Sequence, residues 1–558
     1  MIHEKPEDQL AKRLKRSLKK RVAKQNLATR EARSPAERFR LFESRSREIQ
    51  KHSPRNPKAG DGAKGAHKKA ERQRKESRST HQIFEKDSLD ILHSALDELE
   101  KGFAELPSAV TPIADKQAFE KVILKVAKRL KNNFPYFHPL YAGQMLKPPH
   151  PIARIGYMLA MWINPNNHAL DGGRASSKME KEAVAEIAHM FGWETHLGHL
   201  TGGGTMANLE ALWVAGQLSA EGGCASGANP DKSLEAGSRP AGKVVASEQA
   251  HYTHLRISSV LGLKFESVPC DRSGRMDVEA LKKLLDKGDI GTVVATIGTT
   301  AIGAIDPLPQ LLELRKEYGF QLHADSAYGG YFVLADNLRK ETRAVYDRLG
   351  EADSIVIDPH KHGLQPYSCG CVIFRDPTVA RFYKHDSPYT YFTSEELHLG
   401  EISLECSRAG ASAVGLWATQ KLLPLVKGGE FAKSLSAGRE AALKLYGRLK
   451  ADKRFITAFP PELDIVVWAP VAESVSKASG FSRAIFDEAA KRNLHLALVE
   501  LPTEFFDLVS VKMDRDNDTI TCLRSVLMKP EHKYWIDSIW KILDNASKVV
   551  MTKRLREK

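Results

Sequence analysis

Three short stretches of this chain combine residue types that can do chemistry. In DPHKHG, residues 358–363, a lysine stands between two histidines directly after the apolar run DSIVI. Lysine normally stays in water because of its charge. Drawn into a dry site, it becomes a nucleophile able to form a Schiff base with an aldehyde; left outside, it is an ordinary surface charge past a strand. A second stretch, HADSAYGG, delivers Asp325 at the end of the apolar run FQLHA. A carboxylate there can bind a metal, act as a base, pair with a cationic ring or cap the next turn. The third stretch, HLTGGGTMANLEAL, opens glycines onto a helical pattern. Free N–H groups and the dipole at a helix start hold phosphate, with Thr205 adding a hydroxyl, although glycines there also serve as plain turns. The pattern is neither GxGxxG nor GxxxxGK(S/T), which disfavours a dinucleotide or nucleoside triphosphate site.

A phosphate cradle, a strand-end carboxylate and a strand-end lysine are the three anchors that pyridoxal 5'-phosphate (PLP) requires. The phosphate sits on the helix start, the ring nitrogen meets the carboxylate, and the aldehyde condenses with the lysine. A fourth stretch, SEQAHYTH, offers His251 as a flat ring to stack on the pyridine. The rival reading is a metal hydrolase built on His323, Asp325, Asp358, His360 and His362. No HxHxDH or HExxH pattern supports it, and it leaves Lys361 and the glycines without a role.

These groups need a scaffold that gathers strand ends along one edge. The pattern from GKVVAS through THLRISSVLGL, FESVPC, DVEALKKLLDKG, GTVVATIG, LPQLLELRKEYG and FQLHADSA to SIVIDPHK alternates short apolar strands with helices. Continuous apolar strands between helices predict a parallel or mostly parallel sheet covered on both faces, with strand C-termini and helix N-termini lining one crevice. Helical spacing is expected in SLDILHSALDELEKGF, AFEKVILKVAKRLKNNF and SKMEKEAVAEIAHMFG, where Gly192 is placed as a stop. The stretch EGGCASGANPDKSLEAGSRPAG, 221–242, reads as a surface loop, and SLSAGREAALKLYGRLK with LDIVVWAP predicts a smaller C-terminal α+β unit. The expected organisation is a basic tail over 1–83, a helical segment over 84–160, a large α/β domain over 161–430 and a small α+β domain over 431–558.

The 558 residues carry a net charge of +14, which at first suggests nucleic acid as a partner. Residues 1–83 alone hold 25 Lys and Arg against 10 Asp and Glu, so the remaining chain, at 58 against 59, is nearly neutral. A tail of this composition cannot offset its ordering entropy and is expected to be mostly disordered. Leu10, Leu14, Leu18 and Val22 would still permit a basic amphipathic helix on nucleic acid or an anionic membrane. Six cysteines without CxxC pairing suit reduced thiols in a cytoplasmic protein. The start lacks a secretory apolar core, and no uncharged apolar run reaches membrane-spanning length.

In their order, HLTGGGTMANLEAL, SEQAHYTH, GTTAIGAIDPL, HADSAYGG, DPHKHGLQPYSCG and TCLRSVLMKP resemble the group II PLP-dependent amino-acid decarboxylases, most closely the tyrosine-decarboxylase-like branch. The resemblance runs from about residue 85 to the C-terminus. It implies the fold type I architecture of PLP-dependent transferases (aspartate aminotransferase-like), a homodimer, and decarboxylation of an L-amino acid, with an aromatic side chain favoured. Glutamate or aspartate decarboxylation, aldehyde synthesis and transamination remain alternatives on the same cofactor. Residue by residue it implies that Lys361 anchors PLP covalently, His360 and Gly204 with Thr205 hold the phosphate, and His251 stacks on the ring. Asp325 would pair with the ring nitrogen, Ala327 would pack on the opposite face, and Thr300 would lie near the cofactor's edge. Asp358 stands where many relatives carry Asn, and His362 occupies a variable position. A loop tyrosine, Tyr391 ahead of Tyr389 in HDSPYTYFTSEELHLG, would return the proton to Cα. Arg408 would either lie on the substrate side or form a structural ion pair.

Overall fold

The computed structural model describes residues 84–109, 112–223, 241–384 and 397–555. The basic tail with Leu10, Leu14, Leu18 and Val22, the centre of the 221–242 loop, and both Tyr389 and Tyr391 lie outside the described residues.

The elements run α1 (Ser88–Lys101), α2 (Lys116–Leu130), α3 (Pro151–Met161), α4 (Leu170–Met190), β1 (Leu197–Thr201), α5 (Gly204–Leu218), β2 (Lys243–Ser247), α6 (Thr253–Val260), β3 (Phe265–Val268), α7 (Val278–Leu285), β4 (Ile290–Thr296), α8 (Leu308–Tyr318), β5 (Gln321–Asp325), α9 (Lys340–Asp347), β6 (Ser354–Ile357) and β7 (Gly370–Phe374). They continue with α10 (Gly410–Leu422), α11 (Glu430–Ala451), β8 (Phe455–Thr457), β9 (Ile465–Pro470), α12 (Val475–Ala490), β10 (Ala497–Pro502), β11 (Thr519–Val526) and α13 (His532–Leu555).

Seven strands form one sheet in the order β1-β7-β6-β5-β4-β2-β3, and four antiparallel strands form a second in the order β10-β11-β9-β8. This is the expected α/β architecture, with a large, mostly parallel sheet and a smaller C-terminal α+β part. Strands β2 to β6 pair in parallel, whereas β7 is antiparallel to both of its neighbours, β6 and β1. Because β7 reverses direction twice over, β1 points the same way as β6. The C-terminal ends of β1, β2, β4, β5 and β6 therefore share one edge, and the catalytic candidates follow those ends.

Residue choice explains the elements. All seven residues of β4, IGTVVAT, are buried, as a strand covered on both faces requires. Val293, Val294, Leu322, Ile355 and Ile373 are fully buried in the sheet's interior, each contributing about 1.5–3 kcal/mol of apolar burial. Helix α4 stops at Gly192, which sits at φ +85, and α8 stops at Gly319 at φ +72, both left-handed positions that glycine adopts without strain. Asp277 starts α7 by accepting the Glu279 and Ala280 N–H groups at 2.9 and 3.0 Å. None of the residues of α2 is buried, and its apolar spacing leaves Phe119, Val122, Ile123, Val126 and Leu130 exposed. No helix among the described residues is long and apolar enough to cross a membrane.

Candidate active site

The glycines after β1 make a cradle because the backbone must pass close to its neighbours there. Gly203 lies at φ +144, and a Cβ on Gly370, the first residue of β7, would come within 2.5 Å of the Gly203 carbonyl carbon. A Cβ on Gly204 would meet the Asp358 carboxylate at 2.7 Å. No side chain caps the start of α5, and the Ala207 N–H is the first to join the helical ladder, donating to the Gly203 carbonyl at 3.0 Å. The N–H groups ahead of it thus face outward at the positive end of a 15-residue helix, a ready anion site, with Thr205 exposed beside them.

Lys361, His360 and Asp358 reach the same place from the end of β6. Lys361 Nζ lies 3.0 Å from Asp358 Oδ2 and is partly exposed, while the carboxylate is buried. His360 donates Nδ1–H to the Cys369 carbonyl at 2.8 Å and turns Nε2 to within 3.6 Å of Asp358 Oδ2. A Cβ on Gly203 would have His360 Cε1 as its neighbour at 3.6 Å, so the imidazole borders the cradle. Burial pushes the His360 pKa down, with Asp358 opposing.

Asp325 closes β5 and is buried. Burial alone would raise its carboxyl; the hydrogen bond from His254 and the positive charges facing it, Lys361 among them, overcome this and hold it well below the usual carboxylate range. His254 Nε2 lies 2.9 Å from Asp325 Oδ2, and the Ala327 N–H donates to Oδ1 at 3.2 Å. Ala327 in turn accepts the Asp358 N–H at 3.2 Å, joining the two strand ends. His251 is half-buried, its pKa lowered first by burial and felt by Asp325, Lys361 and Asp358, which places it among them. Its ring stacks on Tyr252 at 4.4 Å. Thr300 sits in the turn after β4 with its side chain exposed; its carbonyl accepts from Arg524 Nη2 at 2.7 Å.

The structure thus brings Gly204, Thr205, His251, Asp325, Ala327, His360 and Lys361 to one sheet edge. Arg408 takes the structural alternative: its guanidinium is buried, 2.7 Å from Glu180 Oε1 and 2.7 Å from the Leu200 carbonyl, tying α4 to β1 beneath the cradle. Among the described residues the five of the metal reading do not gather as one ligand set, and only His360 and Asp358, 3.6 Å apart, face each other as an ion pair would. His323 bonds Ser354 and Asn208, His362 faces Asp464 at 3.4 Å, Asp325 is held by His254, and Asp358 holds Lys361. Two residues escaped the sequence reading. Asn208, one helical turn past Gly204, donates to the Gly204 carbonyl at 2.8 Å, a spacing that could have been read as a helix-start brace. Glu405 accepts the Gly202 N–H at 2.9 Å across a separation of 203 residues, which no local signal announces.

The donor set fits PLP. The uncapped start of α5 suits a phosphate, an ionised and buried Asp325 suits a protonated ring nitrogen, and Lys361 suits an aldehyde. Asp358 Oδ1 is buried without a hydrogen-bond partner among the described residues, marking a polar site still open to a donor. Comparison with known proteins bears on the same stretch. An L-tyrosine decarboxylase of Levilactobacillus brevis is 28% identical over 410 residues, covering 59% of this chain and 65% of that protein. This chain therefore spans just under two thirds of that relative's length. An L-aspartate decarboxylase of Thermococcus kodakarensis is 28% identical over 305 residues, covering 54% of this chain and 73% of that one. The structure of Oryza sativa TDC with PLP and tryptamine shares the fold at a TM-score of 0.66, with 18% identity over 85% of this chain and all of that one. Residues 104–469, which carry the cradle, His251, Asp325 and Lys361, match the pyridoxal-dependent decarboxylase conserved domain, and the chain belongs to that family.

Proposed function

We propose that the protein is a PLP-dependent carboxy-lyase that converts an L-amino acid to the corresponding amine and carbon dioxide, with an aromatic, tyrosine-like substrate favoured. The observation that carries this reading is the meeting of Lys361, Asp325, His251 and the α5 cradle at one sheet edge. The preference for an aromatic substrate rests on the tyrosine decarboxylases among the relatives; the aspartate and diaminobutyrate decarboxylases beside them keep a charged substrate as the second reading.

When bound, PLP supplies an aldehyde for amines and a cationic ring that withdraws electrons from the bond to be broken. The protein's own residues set up that chemistry. The N–H groups at the start of α5, with Thr205 and His360 beside them, hold the phosphate and fix the ring's position. His251 would cover one face of the bound ring and Ala327 the other, which would restrain the ring's tilt and keep water off it. Asp325 holds a proton at the ring nitrogen, because a carboxylate kept ionised in a buried place stabilises the cation opposite it. Lys361 would hold the cofactor's aldehyde through its amine, and Thr300 would lie near the cofactor's edge. A proton replaces the departing carboxylate at Cα, and we assign its delivery to Tyr391.

We further infer a homodimer and a cytoplasmic location. The uncovered apolar residues of α2 support burial against a second copy, since a helix with an apolar stripe is rarely stable in water by itself. The five described cysteines are free thiols, which suits a reducing compartment. For the basic tail we retain electrostatic contact with nucleic acid or anionic membrane, testable as salt-sensitive binding lost on deletion of 1–83. The central test is a screen of the twenty amino acids for carbon dioxide release by PLP-loaded protein. Release from tyrosine or another aromatic amino acid is expected. Release from aspartate or glutamate alone would overturn the substrate, and keto-acid or aldehyde formation without amine would overturn the reaction.

A further inference from the structure

His254 has no role in the scheme above, yet it is fully buried and contacts the group on which the ring's charge depends. It lies in the first turn of α6, three residues after His251, so the start of α6 and the segment leading into it present both imidazoles to the end of β5. An ionised carboxylate only accepts hydrogen bonds, so the 2.9 Å contact to Asp325 Oδ2 requires His254 Nε2 to carry the hydrogen and donate it. Nδ1 of the same ring is buried without a hydrogen-bond partner among the described residues. A histidine kept only to fill space would not orphan one nitrogen to direct the other at a carboxylate, because an unpaired buried polar atom costs stability.

The second buried histidine nearby cannot substitute for it. Asn208 donates its amide hydrogen to the Gly204 carbonyl, so its oxygen must accept from His323 Nε2, leaving His323 Nδ1 to accept from the Ser354 hydroxyl. Both nitrogens of His323 are therefore committed to bracing β5 against α5 and β6. Among the described residues, the other donor to the Asp325 carboxylate is the Ala327 N–H, on Oδ1. The titratable groups facing the pair are His251 from the segment before α6, His323 from β5, and Asp358 with Lys361 from the segment after β6.

We propose that His254 is a positioning residue: it fixes the rotation of the Asp325 carboxylate and occupies Oδ2 with a donor, so that the carboxylate serves as a dedicated, charged acceptor for the ring N–H of bound PLP. This rests on the PLP reading. The test titrates PLP into the full-length apoprotein as wild type, His254→Leu, His254→Gln and His254→Asn. Visible absorbance reports cofactor affinity, and nitrogen NMR of ring-labelled PLP reports the pH at which the ring nitrogen loses its proton. His254→Leu and His254→Asn are expected to weaken PLP binding by about tenfold or more, since a charge-assisted hydrogen bond is lost. In both, the ring proton should leave at a pH lower by about one unit or more. His254→Gln, whose longer amide can still reach Asp325, is expected to recover most of both. Should the leucine variant fail to fold, the comparison of Asn with Gln decides, because the two differ only in reach. Wild-type behaviour in His254→Asn, or equal losses in Asn and Gln, would overturn the role of His254 while leaving the PLP reading intact. A wild-type protein that develops no visible band with PLP would overturn the PLP reading itself, and the proposal with it.

Discussion

Replacing Asp325 with Asn isolates the charge of one group without removing its shape. The Asn oxygen can still accept from His254, so the packing at the end of β5 and the 2.9 Å contact have a counterpart in the variant. What disappears is a negative charge held in a buried place and kept ionised by His254 and Lys361 against the cost of desolvation. Two unit charges about 4 Å apart interact by about 4 kcal/mol at the effective dielectric constant of about 20 that suits such sites. If that interaction stabilises the ring's positive charge while the bond to the carboxylate breaks, its loss costs about a thousandfold in turnover, at about tenfold per 1.4 kcal/mol. The assay is carbon dioxide release from the best substrate, with cofactor occupancy followed by visible absorbance so that lost binding is not mistaken for lost chemistry. A variant that binds PLP and keeps turnover within about tenfold of wild type would refute the electrostatic role given to Asp325.

Other perturbations test separate parts of the structure. Lys361→Ala should lose both the visible band of the PLP-loaded protein and measurable turnover; normal turnover would remove Lys361 from the chemistry. Gly204→Ala places a Cβ 2.7 Å from the Asp358 carboxylate, and PLP titration should show binding weakened by about tenfold, with wild-type affinity counting against the cradle. Arg408→Leu strands the Glu180 carboxylate in the core, and thermal unfolding should register a loss of about 3–5 kcal/mol. Asp306 offers a pH test: burial lifts its carboxyl to about 7 despite hydrogen bonds from the Met276 and Thr296 N–H groups. Its unfolded value is about 4, so between about pH 4 and 7 the folded state binds the extra proton and stability falls as pH rises. Asp306→Asn should flatten that fall in denaturant melts, and an unchanged slope would refute the assignment.

Much of this site was legible because its chemistry follows strand ends. Lys361 and Asp325 stood out as polar residues directly after apolar runs, and those runs are β6 and β5. The cradle was legible because glycines and a helical pattern are both local signals. Strands β1 and β7 were not read as a pair: LGHLT is interrupted by glycine and histidine, and an antiparallel insertion leaves no mark on the alternation of strands and helices. Nothing local to SEQAHYTH singles out His254, since its partner Asp325 lies 71 residues away on another element. Arg408 could be read either way until its carboxylate partner on α4 was in view, because nothing local to ECSRAGA points to Glu180.

The position of β7 between β6 and β1 has a consequence for how the chain is made. Strand β1 has β7 as its one neighbour in the sheet, with Thr201 opposite Gly370 and Leu197 opposite Phe374. Emerging from the ribosome, the cradle strand must wait as an unpaired edge while β2 to β6 are synthesised and can already pair among themselves. Loop closure across so many residues is slow, and an open strand edge is prone to pair wrongly in the meantime. The anion-binding start of α5 is therefore assembled late, when β7 arrives, so the protein's ability to bind PLP would report on completion of the whole sheet.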